Sequence, residues 1–179
     1  MTAQTLATFN ALSADEARQW LEGCCAEPQW AAAVAAERPF HSTAELLAAA
    51  RAHWGRATEA QRLTAFAAHP LIGDVELLRE RYAQAGDRAN AEQGQVLGAD
   101  EQVLTALAER NREYYERHGF IFIVFASGKS AAEMLALLEA RLPRTRAQEL
   151  ATAAQEQMKI TALRIEDRMA QDASAARAP

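Results

Sequence analysis

The chain has 179 residues, of which 50% are hydrophobic and 24% charged, with a net charge of −5. That balance excludes a disordered polyelectrolyte and a basic nucleic-acid-binding surface, and no apolar run approaches the roughly 20 residues that span a bilayer. Leucine (18) outnumbers valine plus isoleucine (10), and 43 alanines supply the strongest helix former, so the expected class is all-α, in one domain.

In chain order, the N-terminus lacks a basic start followed by an apolar stretch, so no export signal is expected and the expected location is cytoplasmic. Ser13 with Glu16 forms a capping-box pattern that opens a helix to about Cys25, with Ala17, Trp20, Leu21 and Cys24 on one face. The adjacent Cys24 and Cys25 cannot form an ordinary disulfide and have no metal-ligand spacing; they read as small residues in a helix, with a reactive thiol as the alternative. Pro28 starts a second helix, through Trp30, Ala33 and Val34, which Arg38-Pro39 stops. Ser42-Thr43 caps a third, through Leu46, Leu47, Ala50 and Trp54, ended by Gly55. Thr58 begins a fourth, with Leu63, Phe66 and Ala67, running into His69-Pro70; the proline disfavours helical geometry at His69 and puts it at a helix end.

Leu71 to Gly86 reads as a short helix or a loop, and a polar stretch follows to Gly98. A long helix begins near Ala99-Asp100, on Val103, Leu104, Leu107, Asn111 and Tyr114. Gly119 to Ala126 (GFIFIVFA) is the one β-branched and aromatic run; it has no second strand near it and is expected to be an extended buried connector. Ser130 caps a helix with Met134, Leu135, Leu137 and Leu138, and a last long helix runs from about Arg146 to Met169. The expected organisation is a helical domain over residues 1–170 and a disordered tail over 171–179.

Generic catalytic motifs are absent: there is no Walker loop, dinucleotide fingerprint, zincin motif or nucleophile elbow. His41, His53, His69 and His118 are scattered, so no metal site is expected. His69 stands out, because a histidine at a helix terminus can face a cavity and titrate near neutrality, though a ring bonded to a carbonyl is the blander reading. By pattern alone Glu92 reads as a solvated loop carboxylate and Arg164 as a snorkelling surface arginine.

Several ordered motifs alter that reading. They are Cys24-Cys25 to Trp30, Glu37-Arg38-Pro39-Phe40, Ala68-His69-Pro70-Leu71-Ile72-Gly73, Glu92-Gln93, Asn111 with Tyr114, Gly119-Phe120 with Phe122, Ala126 with Gly128-Lys129-Ser130, and Lys159-Ile160 with Leu163-Arg164. From about Phe9 to Arg168 the chain resembles the 2-oxo-4-hydroxy-4-carboxy-5-ureidoimidazoline (OHCU) decarboxylase family of urate degradation. The resemblance implies that family's all-helical fold, usually a homodimer, and a cofactor-free decarboxylation giving (S)-allantoin. It implies catalytic roles for His69, Glu92 and Arg164. It implies substrate contacts at Pro70, Ala89 and Gln93, and along the backbone of Phe122, Ile123, Val124, Phe125 and Ala126. Functional coupling to 5-hydroxyisourate hydrolase and urate oxidase follows from the pathway; nucleic acid and membrane partners do not. Two departures stand out: the serine of the family's S-x-x-E-Q pattern is Ala89, and the proline of G-F-P-F is Ile121. Ala89 keeps open a family member acting on a related ureido or hydroxy acid, and a non-catalytic helical interaction module is the contrasting class.

Overall fold

Small polar side chains decide where the helices begin. The computed structural model describes residues 2–69 and 96–175, with eight helices and no strand among them: α1 (Thr2–Ala11), α2 (Ala14–Glu22), α3 (Pro28–Ala36), α4 (Thr43–Gly55), α5 (Glu59–Ala67), α6 (Val96–His118), α7 (Ala131–Arg141) and α8 (Arg146–Ala175). The four hydroxyl caps expected from sequence are all present. Ser13, Ser42, Thr58 and Ser130 accept from the N–H of Glu16, Glu45, Gln61 and Glu133, at 3.1–3.3 Å. Each satisfies one of the amide donors that a helix start leaves without a partner. Glu16, Gln61 and Glu133 also reach back to the cap backbone and complete capping boxes. A further cap was not legible: Glu27, itself buried, takes the Trp30 N–H at 2.5 Å and opens α3.

The described residues fall into two compact units, one from Met1–Ala68 with Ala154–Pro179 and the other from His69–Ala153. In the first, two indoles tie helices together while burying their rings. Trp30 donates to the Ala50 carbonyl (3.0 Å) and Trp54 to the Ala154 carbonyl (2.8 Å). Val34, Leu46, Phe66, Ile165 and Met169 are buried in the same unit. Arg38 closes the end of α1, donating to the carbonyls of Phe9 (3.1 Å) and Leu12 (2.6 Å). In the second unit α6 and α7 pack together, and Leu104, Leu107, Tyr114, Phe122, Met134 and Leu138 form the core.

Four boundaries differ from expectation. α1 was not anticipated: it has no acidic first turn, and it is held by Phe9 against Trp20 (ring centroids 4.8 Å apart) and by Arg38, both tertiary contacts. α2 stops at Glu22, so Cys24 and Cys25 lie in the turn after it and not within a helix. α6 starts at Val96, three residues early, and carries Gly98 inside it; one glycine costs a helix only about 1 kcal/mol against alanine, which a 23-residue helix absorbs. α8 runs on to Ala175, past the expected end near Met169; Gln171 to Ala175 contains neither proline nor glycine, so nothing in that stretch breaks the hydrogen-bond ladder. The segments 70–95 and 176–179, including the expected short element at Leu71–Gly86, lie outside the described residues.

Thr58→Ala tests the capping account. It removes the acceptor for the Gln61 N–H, and the expected loss is about 0.5–2 kcal/mol, read as a lower urea midpoint with unchanged slope. An unshifted midpoint would show that α5 is held by packing alone.

Candidate active site

Of the described candidate residues, His69 sits past a helix end and Phe122–Ala126 lie in an irregular run, while Arg164 lies within α8. α5 ends at Ala67, Ala68 caps it in right-handed geometry, and His69 follows half-buried at the bend, as Pro70 requires. His69 belongs to the second unit. Pro70, Ala89, Glu92 and Gln93 lie outside the described residues.

Arg164 belongs to the first unit, on an exposed face of α8. Its Nη1 donates to the Cys24 carbonyl (3.2 Å), and one turn on Arg168 donates to the Trp20 carbonyl (2.7 Å) with its guanidinium 5.0 Å from the Trp20 ring. Two cations thus answer the carbonyls at the C-terminal end of α2, the favourable sign for that end of a helix dipole. A Cβ at Gly23 would stand 2.0 Å from the Arg168 Nη1, so a larger residue there would shift that guanidinium. Among the described residues the Cys24 bond occupies one of Arg164's five N–H donors.

The neighbouring thiols are buried. Burial pushes Cys24 above its ordinary pKa and Cys25 up to about 12, so both stay protonated and the reactive-thiol alternative fails.

The run Ile121–Ala126 has no regular structure, as expected of a buried connector. Phe122 and Ile123 are buried, and Val124, Phe125 and Ala126 half-buried. Gly119 (φ 75°) and Gly128 (φ 73°) bracket it in the left-handed region; no atom crowds either position, so backbone conformation alone calls for glycine. The segment is anchored from beneath by a network that sequence reasoning missed. Arg141, in the last turn of α7, donates Nη1 to the Ile123 carbonyl (2.9 Å) and Nε to Glu149 (2.7 Å), with its guanidinium 4.6 Å from the centre of the Phe122 ring. Glu149, in the first turn of α8 and fully buried, also accepts from the Tyr114 hydroxyl (2.6 Å). Its Oε1 stands 3.0 Å from an Arg144 guanidinium nitrogen, an ion-pair distance without hydrogen-bond geometry. Burial, and then the bond to Glu149, pushes the Tyr114 phenol well above its ordinary pKa, so it remains a donor.

A signal for this network was present in the sequence. Arg141 continues the apolar stripe of Met134 and Leu138, and Glu149 heads the stripe of Ala153 and Gln157. A charge on a buried face implies an opposite charge facing it.

Of the other histidines, His41 is exposed and His53 bonds the Glu37 carboxylate at 2.7 Å. His118 is buried one turn after Tyr114, with ring centroids 4.4 Å apart, and neither ring nitrogen has a hydrogen bond of acceptable geometry. Among the described residues no three His, Cys, Asp or Glu side chains are grouped to hold a metal ion, and no helix is long and apolar enough to cross a membrane. An open groove of about 580 Å³ in the first unit, lined by Asn10, Arg18, Arg38 and Pro39 among others, contains none of the candidate residues. Its arginines are committed, Arg38 to carbonyls and Arg18 to Asp15 and Glu22, so it is a packing crevice.

A family model for OHCU decarboxylase matches residues 10–166, through both units. The chain belongs to this family. Its members are decarboxylases, and the match extends to proteins bearing the name. The chain is 34% identical over 145 residues to the uric acid degradation bifunctional protein TTL of Arabidopsis thaliana, covering 79% of this chain and 44% of that protein. It is 33% identical over 146 residues to a human protein provisionally named 2-oxo-4-hydroxy-4-carboxy-5-ureidoimidazoline decarboxylase, covering 81% of this chain and 83% of that one. An OHCU decarboxylase crystallised in the presence of (S)-allantoin superposes with a TM-score of 0.68 at 33% identity, over 86% of this chain and 98% of that one. An (S)-allantoin synthase at 20% identity shares the fold, with a TM-score of 0.66 over 90% of this chain and 53% of its own. The all-α expectation and the family resemblance are therefore both met.

His118 gives a stability test. Burial lowers its pKa below the ordinary 6.5; the Leu142 backbone and Glu149 oppose this, while Arg117 and Arg141 reinforce it. Because the folded form binds the proton less readily, this contribution is complete above about pH 6.5 and is lost as pH falls below that, until the folded group itself titrates. Replacing His118 by Phe should therefore shrink the drop in urea midpoint between pH 7.5 and 5.5; an unchanged drop would assign the acid sensitivity to other groups.

Proposed function

We propose that this chain decarboxylates OHCU to (S)-allantoin, without a metal or organic cofactor, as a step of urate degradation. One observation carries the reading: the family match runs unbroken over residues 10–166 and encloses His69, Glu92 and Arg164. OHCU bears a carboxylate and a hydroxyl on one ring carbon. When the bond to the carboxylate breaks, its electron pair passes into the neighbouring C=N, so the substrate supplies its own electron sink. The ring nitrogen that receives the pair takes up a proton from solvent, the hydroxyl gives up its proton as its carbon becomes a carbonyl, and a proton is added to the carbon bearing the ureido group, which fixes the stereochemistry.

The roles follow from that sequence of events. His69 moves the proton, since an imidazole is suited to that near pH 7. Glu92 orients the imidazole or bonds the ureido group. Arg164 offers a planar pair of donors to a carboxylate or carbonyl. Pro70, Ala89 and Gln93 line the substrate, and the Phe122–Ala126 backbone presents rigid amide groups to a flat, amide-rich ring. Residues 1–170 act as one domain in this reading. The enzyme is a cytoplasmic homodimer that works after urate oxidase and 5-hydroxyisourate hydrolase.

The direct test generates OHCU in situ from urate and follows the rate and the chirality of allantoin by circular dichroism. His69→Asn is expected to keep the fold and lower turnover roughly 10²- to 10⁴-fold. A folded variant that retains more than a tenth of wild-type turnover overturns the assignment.

Ala89 favours a second reading, in which the pocket is shaped for a related ureido acid. The two readings separate on Ala89→Ser. A neutral hydrogen bond contributes about 0.5–1.5 kcal/mol, so on the first reading KM improves by at most about tenfold, or stays flat, with kcat little changed. On the second, Ala89→Ser creates allantoin formation that the parent lacks.

A further inference from the structure

We propose that Arg141, held by Glu149 and Tyr114, is a positioning residue that sets the backbone of the Phe122–Ala126 segment against the substrate. The proposal rests on the reading that this segment lines the substrate site. An irregular run has no ladder partners, so its buried carbonyls must find donors elsewhere, and Arg141 supplies one to Ile123. The same guanidinium covers the Phe122 ring at 4.6 Å, and Tyr114 meets that ring edge-on, with centroids 5.3 Å apart. The guanidinium is fixed in turn. Its Nε is bonded to Glu149, and Glu149 is bonded to the Tyr114 hydroxyl. One rigid group therefore locates two consecutive residues, Phe122 and Ile123, and the chain then passes directly into the half-buried Val124, Phe125 and Ala126.

The chemistry of arginine makes this specific. Its fork spans the Glu149 carboxylate and the Ile123 carbonyl at once while lying flat on a ring. A lysine ammonium neutralises Glu149 but cannot keep all three contacts. A purely structural role asks only that the buried carboxylate be neutralised; a positioning role asks for the fork. A displacement of about 1 Å at groups that orient a substrate can cost on the order of 10²-fold in rate.

Two variants are compared with wild type on OHCU generated in situ: Arg141→Lys, and the double replacement Arg141→Met with Glu149→Met. The double replacement exchanges the buried pair for apolar side chains, a change that such pairs often tolerate. Folding is checked by cooperative urea unfolding, and kcat and KM are measured separately. Hydrogen exchange at amides 122–126 is followed with and without (S)-allantoin. In wild type, allantoin should slow exchange of these amides. In whichever variants fold, kcat should fall roughly 10- to 100-fold with KM changed less than threefold, and the protection should be largely lost. A folded Arg141→Lys with kcat within twofold of wild type overturns the proposal, and it decides alone where the double replacement fails to fold. If wild type forms allantoin but allantoin does not protect 122–126, the placement of the segment is wrong and the proposal falls while the activity stands. If wild type forms no allantoin from OHCU, the proposed function itself is refuted.

Discussion

A fully buried carboxylate, Glu149, is the constraint on which the second unit depends. Leaving a charge like this unpaired would cost several kcal/mol, so its partners are not optional. It draws Arg141 from the end of α7 and Tyr114 from α6, and Arg141 passes the constraint on to the irregular run through Ile123. The helix dipoles agree with the arrangement: the acid lies in the first turn of α8 and the base in the last turn of α7. Buried ion pairs are seldom the most stable way to fill a core, since well-packed apolar groups often do as well. What this one provides is direction, because a guanidinium bonded at Nε and Nη1 has little freedom left.

Helix ends lie beside two of the described candidate residues. His69 lies past the end of α5, and Arg164 answers the carbonyls where α2 stops. Inside a helix the backbone groups are already bonded to one another and can offer a ligand nothing. At its ends, and in a segment such as Phe122–Ala126, they are not committed to a helical ladder.

The legible and illegible parts of the fold divide along local and tertiary causes. Ser13, Ser42, Thr58 and Ser130 announced helix starts because a cap is a contact over three residues and can be read from spacing. The connector after Gly119 was legible for a similar reason: a single β-branched run between two glycines has no strand to join. α1 was not legible, since its anchors are Trp20 and Arg38, far along the chain. Among the site residues, His69 was marked by the proline after it. Arg164 read as an ordinary surface arginine and acquired a role only from the family resemblance. Glu149 and Arg141 were not singled out from sequence, although both stand on buried helix faces. The lesson is specific: a charge at a stripe position should be read as half of a pair, and its partner sought at the next stripe.

Why a helical protein tolerates an irregular buried run follows from the same accounting of backbone groups. Every residue from Ile121 to Ala126 carries an N–H and a C=O that a helix would have satisfied for nothing. Left without a ladder, these groups must find partners elsewhere, and the pattern of burial divides the run in two. Phe122 and Ile123 are sealed against α6 and α7, and Arg141 takes the Ile123 carbonyl. Val124, Phe125 and Ala126 are half-buried, with Lys129 lying 5.9 Å from the Phe125 ring centre and the Lys129 N–H closing a turn on the Ala126 carbonyl (3.1 Å). The segment is therefore clamped at its buried end and turned back at its other end, which leaves two residues, Val124 and Phe125, between two fixed points. A stretch of that length has few conformations open to it. The clamp and the connector are in this sense one device, and neither the aromatic run nor the buried charges make physical sense without the other.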